Sequence, residues 1–155
     1  MSVVGAARSA IRSVAVLSLL FGTGPAAAAT CVVTNVTPIN FGAYSQSSTV
    51  PLDSVGELAV DCTTPSPVQI ILGRGLSGRQ TPREMLARGI ALHYNLFMDA
   101  AHTVVWGDGT EGTQVFMGIA PAPQSLRLSI FGRMFALQAV PAGTYVDRIV
   151  VAVVF

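Results

Sequence analysis

Apolar residues recur at every second position through most of this chain. Leu58, Val60 and Cys62 alternate with Glu57, Ala59 and Asp61, Val68, Ile70 and Leu72 keep the same period, and Leu92, Tyr94, Leu96 and Met98 alternate with His93, Asn95 and Asp99. A period of two puts successive side chains on opposite faces of an extended backbone, so these segments are predicted as half-buried β-strands. Further strands are expected at Val32 to Phe41, broken near Pro38, and at Thr103 to Trp106, Val115 to Ile119, Leu126 to Phe135 and Val146 to Phe155. Turn residues separate them at Pro51 to Gly56, Thr63 to Pro67, Gly107-Asp108-Gly109, Pro121 to Pro123 and Pro141 to Gly143. Only Pro82 to Arg88 reads as a helical turn. Seven or eight short strands with turns at regular intervals predict an all-β chain, an immunoglobulin-like Greek-key β-sandwich rather than an α/β enzyme.

The first segment has a different pattern. Arg8 and Arg12 precede an apolar run from Val14 to Phe21, and Gly22, Gly24 and Pro25 break it ahead of Ala26 to Ala29. This is the layout of a secretory signal peptide, expected at residues 1–29. A spanning helix needs about 20 consecutive apolar residues, which argues against a membrane anchor. Cleavage after Ala29 leaves one domain, residues 30–155, with only Thr30 ahead of Cys31.

Composition removes several classes of function. Charged residues make up 11% of the chain and hydrophobic residues 51%, so it has ample surface to bury and too little charge to remain unfolded. All nine basic residues are Arg, which excludes a P-loop lysine and Schiff-base chemistry. A formal charge of +1 offers no basic stripe for nucleic acid.

Cys31 and Cys62 are the only two cysteines. Export carries them through an oxidising compartment, so a disulfide is expected; metal binding is the weaker alternative, because the two Cys with His93 and His102 lack zinc-type spacing. Cys31 opens the first predicted strand and Cys62 ends the second, so antiparallel pairing brings them opposite each other.

The remaining reactive side chains read as structural. No Gly-x-Ser-x-Gly elbow or His-Glu-x-x-His helix is present, and His93 falls on the polar side of its strand. Asp99 and Asp108 stand beside turns, where Asp bonds the backbone. Arg74, Arg79, Arg83 and Arg88 lie in a Gly- and Pro-containing stretch without interleaved aromatics, which reads as a solvated loop rather than an anion-binding face. Trp106, next to a tight turn, reads as core. No catalytic centre, metal, cofactor or small-molecule substrate is expected.

From Ile149 to Phe155 every residue is apolar. A strand with two greasy faces must be covered, because an exposed apolar edge invites aggregation.

Several segments occur together in order: Cys31, Asn40-Phe41-Gly42-Ala43-Tyr44, Gly56, Val60-Asp61-Cys62-Thr63, Leu92 to Asp99, Val105-Trp106-Gly107-Asp108-Gly109, Phe131-Gly132-Arg133 and Pro141-Ala142-Gly143-Thr144-Tyr145-Val146-Asp147. This run resembles the spore coat protein U domain, over essentially the whole mature chain. The resemblance implies an extracellular structural subunit of the archaic chaperone-usher pilus class, with a sandwich that lacks its final strand. A periplasmic pilus chaperone fills the groove first, and a neighbouring pilus subunit replaces it at the outer-membrane usher. On that scheme Ile149, Val151, Val153 and Phe155 belong to the groove-edge strand that contacts the donor. The implied location is a cell-surface pilus, or secretion, by way of the periplasm. Donor subunits of the class carry an apolar extension ahead of the first Cys; a single preceding residue cannot form one, so an acceptor at a tip or terminus is expected. The alternative is a secreted spore-coat or extracellular matrix protein that does not polymerise by strand exchange.

Overall fold

A computed structural model describes residues 28–155, and residues 1–27 of the expected signal peptide lie outside the described part. The chain forms β1 (Cys31–Thr37), β2 (Leu52–Cys62), β3 (Ser66–Leu72), β4 (Arg83–Ala87), β5 (Ile90–Phe97), β6 (Phe116–Ala120), β7 (Leu126–Met134) and β8 (Val151–Val154). Two antiparallel sheets, in the orders β1-β2-β7-β5-β4 and β6-β3-β8, face each other as a sandwich.

The alternating sets identified in the sequence on β2, β3 and β5, joined by β7, form the core between the sheets. Leu58 and Val60 of β2, Val68, Ile70 and Leu72 of β3, Leu92, Tyr94 and Leu96 of β5, and Ile130 and Met134 of β7 are all buried there. Each fully buried aliphatic side chain of this kind contributes about 1.5–3 kcal/mol relative to exposure. Trp106 is 1% exposed, and its indole N–H donates to the Ile70 carbonyl at 2.9 Å. Burying that ring therefore leaves no polar atom unpaired.

Cys31 pairs with Cys62 across β1 and β2, Cα atoms 4.1 Å apart, and the two form a disulfide.

Four local expectations are corrected. Pro82 to Arg88 is not a helical turn: Arg83 to Ala87 is strand β4, paired to β5 in the register Arg83–Tyr94 and Met85–Leu92. Local residues were compatible with either form, and ladder bonds to β5 decide for the strand. The predicted turn at Pro51 to Gly56 is shortened to Pro51, because β2 begins at Leu52 and pairs with β7 from there. Asp53 and Ser54, read as turn residues, lie on that strand: Asp53 stands outward and accepts two bonds from Arg133 at 2.7 Å, while the Ser54 hydroxyl donates to the Asn40 carbonyl at 2.8 Å on the opposite face. Thr103 to Trp106 makes only isolated bridges, Val105 with Phe97 and Trp106 with Gln114. The closing strand is shorter than Val146 to Phe155: Val146 bridges to Leu86 in one sheet, and β8 proper begins five residues later in the other.

Candidate interaction groove

Pro38 cannot donate a ladder hydrogen bond, and β1 ends at the residue before it. From there the chain lies across the inner face of the five-stranded sheet. Two glycines on that face make the close approach possible. A Cβ on Gly56 would stand 2.6 Å from the Thr37 carbonyl oxygen, and one on Gly132 would stand 2.9 Å from Phe41 Cζ. Phe41 settles edge-on against Tyr94 of β5, ring centroids 5.9 Å apart.

The opposite wall is the approach to β8. Val146 exchanges two backbone hydrogen bonds with Leu86 of β4, and the chain then crosses to β3, against which β8 pairs from Leu72–Val151 to Gln69–Val154. The other edge of β8 pairs with no strand among the described residues. Between Val36–Phe41 and Val146–Val151 runs a groove of 310 Å³, floored by Leu72, Tyr94, Leu96 and Ile130. It opens toward a wider cavity of 720 Å³ above Met85, Leu92 and Met134, bounded by residues 39–46 and 140–145. An apolar floor beneath an unpaired strand edge has the chemistry of a strand-binding site: backbone groups to complete a ladder and pockets for alternate side chains.

The four residues expected at the groove edge lie in different surroundings. Ile149 and Val151 line the groove. Val153 is half-buried against the core without lining the groove, and Phe155 is 54% exposed. The opposite wall and the floor were not picked out as site residues in the sequence. Pro38 interrupting an alternating run, and glycines at the inward positions 56 and 132, were the available signals.

One carboxylate sits at the crossing between the sheets. Asp147 accepts the Tyr94 hydroxyl at 2.6 Å and the backbone N–H of Leu76 and of Arg148, each at 2.7 Å. Burial, then the bond to Asp147, holds the Tyr94 phenol well above its ordinary range, so it stays a neutral donor.

The arginines are not a shared solvated loop, which corrects the sequence expectation. Arg83 is fully buried and donates to the carbonyls of Leu72, Gly73 and Trp106; its pKa is pushed down by that burial. Arg74 is held by Asp108 and Glu111. Arg79 stays largely exposed, 3.6 Å from Glu84.

Asp99 bonds the backbone N–H of Thr103 and Val104, and Asp108 that of Thr110, so both serve their turns. His102 packs edge-on against Phe97 and Phe131, while His93 lies 3.7 Å from Glu84. Among the described residues, no group of three or more His, Cys, Asp or Glu side chains is arranged to hold a metal ion.

Residues 17–152 match the Spore Coat Protein U domain. Protein U of Myxococcus xanthus is 33% identical over 132 residues, an alignment covering 76% of this chain and 71% of that protein. Among solved structures, the CsuC-CsuE chaperone-tip adhesion subunit pre-assembly complex from archaic chaperone-usher Csu pili of Acinetobacter baumannii is similar in fold. The TM-score is 0.58 at 24% identity, over 83% of this chain and 40% of the matched chain.

Proposed function

The chain belongs to the Spore Coat Protein U domain family, and on that premise we propose that it is an exported, non-enzymatic structural subunit of an archaic chaperone-usher pilus. Its groove accepts a strand from a periplasmic chaperone and, at the usher, from a neighbouring subunit.

The observation that carries this reading is the gap beside β8. A core floor of Leu72, Tyr94, Leu96 and Ile130 lies under a strand that, among the described residues, is paired on one side only. An extended segment laid into the gap would take up that edge and cover Ile149 and Val151. The neighbour in the solved structures is described as a chaperone-tip adhesion subunit complex, which supports a chaperone partner and a terminal place in the fibre.

Co-expression with a candidate periplasmic chaperone, followed by purification with and without it, tests the proposal. The subunit should be recovered as a one-to-one complex with the chaperone and should aggregate alone. A second reading, a coat or matrix protein that does not exchange strands, is favoured by the 33% identity to Protein U. A stable monomer that ignores the chaperone and added strand peptides would establish that reading instead.

A further inference from the structure

Tyr94 belongs to the groove floor and Asp147 to its wall, and their side chains meet at 2.6 Å. Asp147 stands one residue after Val146, which is bonded to β4 in the five-stranded sheet, and two before Ile149, which leads into β8 of the other sheet. One carboxylate oxygen takes the Tyr94 hydroxyl from β5, and the other takes the N–H of Leu76 from the segment that follows β3. That segment can come this close because of Gly75. Its φ is +76°, and a Cβ there would collide with the Asp147 carboxylate. A second tie lies alongside, where the Gly73 N–H donates to the Val150 carbonyl at 2.9 Å.

From this convergence we infer that Asp147, through Tyr94 and Leu76, is a positioning residue that holds the β8-side wall of the groove at the separation an incoming strand needs. The inference rests on the strand-accepting function proposed above. Short hydrogen bonds to an ionised carboxylate are about twice as strong as neutral ones, and Tyr94 is only 3% exposed, so water competes poorly for this one. A wall set in advance spares the incoming strand the entropy of ordering it. With the clasp cut, the core under the floor persists, while the crossing from Val146 to Val151 loses its side-chain anchor.

The test uses the full chain carrying Tyr94→Phe, Asp147→Ala or both, with Leu58→Ala as a core-destabilised control. Amide hydrogen exchange reads the wall, and a synthetic nine-residue peptide of alternating valine and threonine reads the groove. Each clasp variant should speed exchange across residues 146–153 about tenfold or more, with less than threefold change at Leu58 and Val60. The peptide should dissociate at least tenfold faster, and the double variant should add little to Asp147→Ala, which already removes the bonds to both Tyr94 and Leu76. Leu58→Ala should speed exchange throughout and leave peptide dissociation from the folded fraction unchanged. Exchange that is unaltered at 146–153, or that rises uniformly in the clasp variants, would overturn the inference. A peptide that fails to bind the wild-type chain counts against strand acceptance itself; the exchange pattern then decides by itself whether the clasp holds the wall.

Discussion

Phe41 occupies the space that a side chain at position 132 would need: a Cβ on Gly132 would lie 2.9 Å from Phe41 Cζ and within 3.2 Å of two Ile39 carbons. The wall of the groove opposite β8 therefore depends on an absent methyl group. Gly132→Ala should displace Ile39 and Phe41 and cost about 1–3 kcal/mol, the usual range for overpacking. Urea unfolding would measure it, and an unchanged midpoint would show that the crossing segment moves freely.

The Cys31–Cys62 disulfide joins the start of β1 to the end of β2, 31 residues apart in sequence. On the chain-entropy account, closing a loop of this length stabilises by about 3–4 kcal/mol. Cys31→Ser/Cys62→Ser should lower the denaturant midpoint accordingly, and mass spectrometry of the unreduced protein should show the two peptides linked.

Charge in the groove should separate binding from folding. Val151→Asp sets a carboxylate against an apolar floor and should abolish capture of a strand peptide or chaperone. Arg79→Ala, at an exposed position outside the groove lining, should leave capture intact. Equal loss in both variants, read by co-purification, would count against a strand site at this edge.

Arg83 is buried, has no carboxylate at ion-pair distance among the described residues, and serves three carbonyls. Arg83→Met fills much of the volume but removes the side-chain donor from the Gly73 and Trp106 carbonyls, while the Leu72 carbonyl keeps the Gln80 side chain; each buried acceptor that finds no water costs about 1–3 kcal/mol. Thermal unfolding should show a loss larger than that of Arg127→Met, whose side chain is exposed and paired to Glu57.

Acid should weaken the fold through its turns. The Thr110 hydroxyl, then its backbone N–H, hold Asp108 below the ordinary carboxylate range, and the N–H of Val104 and the Thr103 hydroxyl do the same for Asp99. Because the folded-state values are depressed, this stabilisation is present above the unfolded pKa of about 3.9 and is lost as pH falls through and below it. Melting temperature followed from pH 6 to pH 2 should drop less steeply in Asp108→Asn than in the wild type.

Period-two alternation was enough to find the core of β2, β3 and β5, because burying one face of a strand leaves its mark on every second residue. Two cysteines in a chain with the layout of a signal peptide, one opening the first strand and one closing the second, likewise made the disulfide legible. The groove was only half legible. An apolar run from Ile149 to Phe155 said that something must cover it, but not that Ile149 and Val151 would line the groove while Phe155 turned to solvent. The other wall, the Tyr94–Asp147 bond and the burial of Arg83 bring together residues tens of positions apart, and each sits in a local pattern open to a second meaning. Strand periodicity is a local property carried by neighbours in the chain. The groove is the space left between two sheets, and its shape depends on where the chain crosses from one sheet to the other, which only the packed structure decides.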